Sequence, residues 1–223
     1  MRILVLGEGP NDLGRFDRNG LLTLPGVLPI FTGRLCLEVE SSLSLEFKVL
    51  PWRSRRLQAH TGSGLHKKLE LAAVLFGGST NAIVGVVDRD GERNRDRAEQ
   101  LRLGREAVLQ HGLPCAAGLS VETLEATLLA DEIALRAALG DPSIVCQPDP
   151  ESLVSRDEKS DKNPKGRLQR LIAGSPAGRQ EDFTSVYASI ARHSRLAVLE
   201  ERCPTGFGEF ARQVREVARS LAP

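Results

Sequence analysis

The chain has 223 residues, of which 41% are hydrophobic and 26% are charged, and its formal net charge at pH 7 is +1. This composition is typical of a globular protein with one sizeable core, and the small net charge argues against a protein that coats DNA by bulk charge. Nucleic acid and small anions stay open as partners. No apolar run approaches the roughly 18–20 residues that a membrane-spanning helix needs, so we expect no membrane partner.

The beginning of the chain and the cysteines indicate the cellular compartment. The short apolar run at residues 2–6 is followed by an acid and a proline, which predicts a strand rather than a secretion signal. The four cysteines are far apart and form no CxxC pair, which favours free thiols in a reducing compartment. We therefore expect a cytoplasmic protein.

In chain order, residues 2–6 predict a buried strand, and residues 17–33 predict a long loop because glycines and prolines interrupt any periodicity. The stretch SLEFKVLPW, residues 44–52, predicts a second strand that Pro51 ends. Residues 65–78, LHKKLELAAVLFGG, place apolar side chains at helical spacing before two glycines, which predicts a helix.

Four further elements are predicted up to residue 140. AIVGVVDRDG predicts an apolar strand, IVGVV, that Asp88 and Asp90 follow, residues 96–112 predict a helix, and PCAAGLS predicts a short strand. Residues 120–140 predict one long helix, with Ser120 as its N-cap and Gly140 at its end.

This alternation of strands and helices predicts an α/β fold with a mostly parallel sheet flanked by helices. We assign residues 1–140 to this domain. Residues 141–165 are rich in Pro, Asp and Ser and predict a loop, and about three helices are expected between 166 and 221. Residues 141–223 would form a helical C-terminal extension packed on the domain.

Acidic residues follow three of the predicted strands, where ligands of parallel sheets gather. Carboxylates placed together repel one another unless a cation lies among them, and Mg²⁺ prefers such oxygen ligands. A structural interpretation stays open for each acid, since Glu8 can close a turn, Asp88 can pair with an arginine and the later acids can stabilise a helix start. The candidate ligands of a shared metal site are Glu8, Asp12, Asp88, Asp90, Glu122 and Glu125.

Basic residues surround a Gly-Ser-Gly turn between the second strand and the first predicted helix. They are typical of a phosphate-binding surface at a helix N-terminus, beside which Trp52 would stack on a base. The equally weighted alternative is a solvated connection with Trp52 in the core. The candidate nucleic-acid-binding residues are Arg53, Arg55, Arg56, Lys67 and Lys68.

Two of these segments resemble motifs of the TOPRIM (topoisomerase–primase) family. LVLGEGPND is similar to the E-G-x-[TN]-D opening of that domain, and VGVVDRDG is similar to its D-x-D motif. ETLEATLLAD resembles the acidic helix of stand-alone bacterial TOPRIM-like proteins related to OLD-family nucleases. NPKGRLQRLI and RCPTGFGEFARQV resemble the helical tail of an uncharacterised group of such proteins.

The resemblance implies a Rossmann-like TOPRIM domain and a Mg²⁺- or Mn²⁺-dependent nuclease that cuts DNA, with bacterial defence as its role. Glu8, Asp12, Asp88 and Asp90 would be metal ligands, and Glu125 matches the later acid better than Glu122 does. Glu8 would alternatively act as a general acid or base. Lys165 would assist as a catalytic lysine near the scissile phosphate.

Departures from the family restrict this interpretation. HTGSGLHKKLE does not match a phosphate-binding ATPase loop, so any ATPase would be a separate partner. The single tyrosine, Tyr187, lies in the late helical part and outside any plausible topoisomerase position. The alternatives are a non-catalytic regulatory subunit that binds metal or nucleotide, and an enzyme that hydrolyses a small phosphate ester.

Overall fold

The computed structural model describes residues 1–58, 64–88, 96–120, 123–146, 149–155 and 157–222. Its centre is a four-stranded parallel sheet with the strand order β4-β1-β5-β6. The predicted α/β fold, with a parallel sheet flanked by helices, is therefore confirmed. The strands are β1 (Arg2–Gly7), β4 (Glu46–Pro51), β5 (Ala82–Asp88) and β6 (Cys115–Ser120).

A separate antiparallel hairpin follows β1. It consists of β2 (Gly14–Phe16) and β3 (Leu22–Pro25). A Cβ atom on Gly14 would lie 2.0 Å from the Leu24 carbonyl oxygen, and Gly14 also has a φ of +88°, so only glycine fits there. This close approach holds β3 beside the chain segment that follows β1 and contains Glu8 and Asp12.

Ten α-helices are found in the described residues. They are α1 (Pro10–Leu13), α2 (Val27–Val39), α3 (Leu65–Phe76), α4 (Arg97–Gln110), α5 (Leu124–Leu128), α6 (Glu132–Leu139), α7 (Pro164–Gly174), α8 (Phe183–His193), α9 (Leu196–Arg202) and α10 (Glu209–Leu221). The predicted helices at 65–78 and 96–112 are confirmed as α3 and α4.

The loop predicted for residues 17–33 is wrong. This segment contains β3 and the first half of α2. Every residue of α2 from Val27 to Thr32 is buried, so the helix lacks the polar face that makes a helical period visible. Pro29 is accommodated in the first turn, where its missing N–H has no intrahelical partner to lose.

The single long helix predicted for residues 120–140 is also wrong. Ser120 is the last residue of β6 rather than an N-cap, and the segment contains two short helices. Asp131 separates them, because its carboxylate accepts hydrogen bonds from the N–H groups of Ile133 and Ala134 and caps α6. Gly140 ends α6 in the left-handed conformation, as predicted.

The last part of the chain contains four helices, α7 to α10, where about three were expected. The described residues between 141 and 163 form turns and a short 3₁₀ segment at Pro150–Ser152, in agreement with the predicted loop. A π-helical turn at Pro204–Gly208 joins α9 to α10.

The helices form two layers, one on each face of the sheet. On one face, Leu4, Leu6 and Ile83 pack with side chains of α3 and α4. On the other face, Val5 and Val84 belong to a larger cluster that includes α2, α5 and helices from α6 to α10. This second cluster contains residues from both sides of position 140, and the domain boundary proposed there stays a prediction.

Two simpler expectations concern thiols and membrane helices. All four cysteines are free, as predicted. Among the helices of the described residues, none combines the length and the apolar character that crossing a bilayer requires.

Candidate active site

An open cleft of about 440 Å³ lies where the carboxyl ends of β1 and β5 meet. This is the edge of a parallel sheet at which ligands bind. Four carboxylates from three separate segments of the chain lie in its wall together with two cationic side chains. The lining residues are Glu8, Gly9, Pro10, Asn11, Asp12, Arg53, Asp88, Thr123, Glu125 and Lys165.

The loop after β1 places Glu8 and Asp12 in the cleft. One oxygen of Asp12 accepts hydrogen bonds from the backbone N–H groups of Glu8, at 2.8 Å, and Gly9, at 3.2 Å. Asp12 therefore fixes the turn that presents Glu8, and its second oxygen is left for another partner. Asn11 accepts a hydrogen bond from the hydroxyl of Thr184 on α8, at 3.2 Å.

The carboxyl group of Asp12 has an unusual acidity. Its pKa is raised from 3.8 to about 6, mainly by burial and also by the negative charges of Glu125 and Glu8, against the lowering effect of the two backbone hydrogen bonds. The acids of the cleft therefore lie close enough to repel one another. A proton or a bound cation would relieve this repulsion.

Asp88 ends β5 and connects it to the loop before α5. Its Oδ1 atom accepts a hydrogen bond from the N–H of Leu124 at 3.0 Å, at the first turn of α5. The carboxylate thereby satisfies an N–H group that has no partner within the helix. Asp88 lies opposite Ser120, the last residue of β6, in the sheet. The bond to Leu124 therefore lies where the carboxyl ends of β5 and β6 meet.

Arg97, at the start of α4, joins Asp88 to Glu8. Its Nη1 atom donates a hydrogen bond to the main-chain oxygen of Asp88 and lies 3.8 Å from Oε1 of Glu8. Arg97 therefore compensates part of the negative charge of the cleft.

Glu125 is held by a tyrosine from the last third of the chain. The hydroxyl of Tyr187, on α8, donates a hydrogen bond to Oε1 of Glu125 at 3.1 Å. Only 8% of Glu125 and 1% of Tyr187 are exposed. Burial and the nearby charge of Glu125 raise the pKa of Tyr187, so it stays protonated and acts as a hydrogen-bond donor.

Lys165 and Arg53 supply positive charge to the same cleft. Lys165 stands in the first turn of α7, which Asn163 caps by accepting a hydrogen bond from the N–H of Gly166. Arg53 follows the end of β4. Within the described residues neither side chain forms an ion pair, so both are available to an anionic ligand.

The other predicted basic residues do not gather at this cleft. Lys67 forms an ion pair with Glu70 on α3, at 3.1 Å, and Lys68 lies on the same helix. Arg55 begins a 3₁₀ turn at Arg55–Leu57, and Arg56 lines a different groove. Among the five basic residues named from the sequence, Arg53 alone lies in the described wall of the cleft.

Trp52 is a core residue and not a stacking surface. It is 4% exposed, and its indole N–H donates to the main-chain oxygen of Val86 at 2.7 Å. The alternative that packed it in the core is confirmed.

Two predicted ligands, Asp90 and Glu122, lie outside the described residues. In the described ranges, no group of three or more His, Cys, Asp and Glu side chains is arranged to hold a metal ion. One buried polar atom at the cleft nevertheless lacks a partner, the hydroxyl of Thr123. The cleft therefore offers carboxylate oxygens and an unsatisfied hydroxyl rather than a complete protein cage.

Sequence reasoning missed Arg97, Thr123 and Tyr187 as neighbours of these acids. Arg97 had a detectable signal, because a cation in the first turn of a helix opposes the helix dipole and needs another reason to be there. Tyr187 had none, since the contact joins residues that are 62 positions apart.

Comparisons of the chain with models of protein families, with curated proteins and with solved structures found no match.

Proposed function

We propose that this chain is a Mg²⁺- or Mn²⁺-dependent phosphodiesterase that cuts DNA. The observation that supports the proposal best is the convergence of Glu8, Asp12, Asp88 and Glu125 on one open cleft that also contains Lys165 and Arg53. The motifs that resemble the TOPRIM family contribute three of these acids from their E-G-x-x-D and D-x-D segments. Chemistry and resemblance therefore favour the same residues.

The donors in the cleft fit a hard divalent cation. Mg²⁺ keeps several water ligands and is commonly bound by one or two carboxylates together with substrate phosphates, so a complete protein cage is not required. Glu8 and Asp88 would hold the ion, with the second oxygen of Asp12 as a further ligand. The raised pKa of Asp12 supports this assignment, because a cation would offset the repulsion from Glu8 and Glu125.

A bound divalent ion would supply an activated water and stabilise charge on the phosphate during displacement. The protein's own side chains would bind and orient the substrate. Lys165 would contact a non-bridging oxygen of the scissile phosphate, and Arg53 would hold the strand by charge. Tyr187 would keep Glu125 in place through its hydrogen bond.

The test is cleavage of supercoiled and single-stranded DNA by the purified chain with Mg²⁺ or Mn²⁺. Asp88→Asn and Glu8→Gln should each lower the rate about 100-fold or more, since they weaken an interaction worth several kcal/mol in the transition state. Glu106→Gln is the matched control, because Glu106 lies on α4 and pairs with Arg102 outside the cleft. Equal activity in all three variants, or no cleavage by the wild type with either ion, would contradict the proposal.

A second candidate is a non-catalytic regulatory subunit that binds metal or nucleotide. It is favoured by the position of Arg97, whose Nη1 atom lies 3.8 Å from Oε1 of Glu8 and would compete with a catalytic ion for that carboxylate. Stabilisation of the protein by Mn²⁺ without cleavage of any DNA substrate would support this alternative. The separate ATPase partner and a defence role stay predictions from the resemblance.

A further inference from the structure

A second concave surface, the hairpin groove, lies between the β2–β3 hairpin and the β4 edge of the sheet. It has a volume of about 240 Å³ and contains three cationic side chains, those of Arg18, Lys48 and Arg56. Phe16, which is 39% exposed, also lines it. The remaining lining residues are Asp17, Asn19, Gly20, Val49, Leu50, Pro51 and Ser54.

Backbone hydrogen bonds hold the hairpin against β4 and so set the shape of the groove. The N–H of Val49 donates to the Gly20 oxygen at 3.0 Å, and Leu21 forms a β-bridge with Lys48. Asp17 orders the hairpin tip, because its Oδ1 accepts from the N–H groups of Asn19 and Leu21. The hairpin tip that carries Arg18 is therefore held beside β4, which carries Lys48, before any ligand binds.

Within the described part of the chain, the three cations of the groove have no acidic partner. Arg18, Lys48 and Arg56 form no ion pair there, although many other arginines of this protein do. The Lys48 ammonium lies 4.8 Å from the centre of the Phe76 ring, a contact that leaves its charge in place. Among the described residues of the groove wall, Asp17 is the one acid, and its carboxylate already accepts two backbone hydrogen bonds.

The groove is adjacent to the acidic cleft. Both surfaces are built from the end of β4 and the turn that follows it. Arg53 lies in the cleft, and Pro51, Ser54 and Arg56 lie in the groove. An extended ligand that occupies the cleft would reach the groove by crossing this turn. Only a polymer of repeated negative charges would use cations on both sides of it.

We propose that the hairpin groove binds the backbone of single-stranded DNA, with Phe16 stacking on a base. Cationic grooves with an exposed aromatic side chain are typical of sites for single strands, because the bases of a duplex do not offer their faces for stacking. Phe16 and Phe183 are exposed phenylalanines in the described residues, and Phe16 is the one that lines this groove with the three cations. This inference rests on the proposed function, since it extends the path of the substrate from the cleft.

The test measures binding by fluorescence anisotropy in EDTA, so that no cleavage occurs, with a thymidine oligonucleotide of about 12 nucleotides and with a dinucleotide. The double variant Arg18→Ala/Arg56→Ala should bind the longer strand about 10-fold more weakly. Its slope of log affinity against log salt should also fall by about 0.7 for each lost phosphate contact. Phe16→Ala should weaken binding about 5-fold or more without changing this slope.

The matched control is Arg192→Ala/Arg219→Ala, which removes the same charge from exposed positions on α8 and α10. It should bind the longer strand like the wild type, and the dinucleotide should bind equally to all variants. Equal affinity of the wild type and the Arg18/Arg56 variant for the longer strand would overturn the groove proposal. If the groove instead binds a single phosphate or nucleotide, the Arg18/Arg56 variant should also bind the dinucleotide more weakly. This result would overturn the groove proposal as well.

These outcomes are separable from the fate of the phosphodiesterase proposal. If the groove variants lose strand binding while the wild type cuts nothing with Mg²⁺ or Mn²⁺, the groove stands and the hydrolase fails. If the wild type cuts DNA and the groove variants cut and bind it equally well, the hydrolase stands and the groove fails.

Discussion

Carboxylates on the C-terminal helices lie beside arginines, whereas the carboxylates of the cleft lie beside one another. On α10, Arg212 pairs with Glu209 and Glu216, and Arg215 contacts glutamates of two other elements. In the cleft, by contrast, burial and the neighbouring acids raise the pKa of Asp12, and Arg97 compensates only part of the charge. The paired acids have their charge compensated within the protein, whereas the charge of the cleft acids is compensated only in part.

Asp131 is the most complete example of a paired acid. Its side chain is fully buried and accepts hydrogen bonds from the backbone N–H, Nε and Nη2 of Arg195 as well as from the first turn of α6. Although burial raises its pKa, the hydrogen bonds from Arg195 outweigh that effect and leave the pKa below its usual value. The two buried carboxylates therefore differ in acidity, because the pKa of Asp131 lies below its usual value and that of Asp12 lies above it.

The largest effect is expected at Asp131. Asp131→Ala removes a helix cap and a set of charged hydrogen bonds, so the free energy of unfolding should fall by about 3 kcal/mol, as measured by urea denaturation. Asp131→Asn keeps the shape and the cap and should lose less. The proposed DNA cleavage, measured per folded molecule, should not change, because Asp131 does not line the cleft. A loss below 1 kcal/mol in the alanine variant would contradict this account of the paired acids.

The next effect concerns pH and Asp12. Since its pKa is about 6 in the fold and about 4 in the unfolded chain, the native state binds more protons between these values. Stability should therefore fall as pH rises from about 4 to 6, by up to about 3 kcal/mol, and then level off.

Asp12→Asn preserves the hydrogen-bond acceptor without the charge. Its free energy of unfolding should exceed that of the wild type by about 2 kcal/mol above pH 6, and the two should converge near pH 4. Saturating Mg²⁺ should narrow the difference at pH 7, because a cation replaces the proton. If the free energy of unfolding depended on pH in the same way in both proteins, measured with a chelator present, the raised pKa of Asp12 would be refuted.

The smallest effect is expected at Tyr187. Tyr187→Phe removes one hydrogen bond to a buried carboxylate and should lower the free energy of unfolding by about 1–2 kcal/mol. If the cleft binds the proposed divalent ion, this variant should also weaken Mn²⁺ binding, measured by calorimetry, because Glu125 lies beside the proposed ligands and loses its fixed position. Thr184→Val, on the same helix, removes a bond to the neutral Asn11 and should cost less. An effect of Thr184→Val as large as that of Tyr187→Phe would contradict the special role of the Glu125 contact.

The parts of the fold that sequence reasoning predicted share one property. The strands that end at Gly7 and Asp88 are apolar runs whose boundaries are marked by glycine or acid, and α3 and α4 each have one polar face. Such boundaries and periods are local and can be recognised without tertiary structure. The parts that failed lack a local period, as in the buried first half of α2, or divide at a residue that a distant partner also holds, as Arg195 holds Asp131.

The sequence by itself determined the α/β class and the placement of Glu8, Asp12 and Asp88 after strands, because parallel strands bring their carboxyl ends to one edge. Only the tertiary structure decided that Tyr187 and Arg97 contact these acids and that Lys165, named from the family resemblance, lies in the same cleft. Tyr187 and Lys165 come from helices whose positions depend on how their apolar faces pack on the sheet. Packing of this kind joins residues far apart in the chain, and no local pattern encodes those pairings.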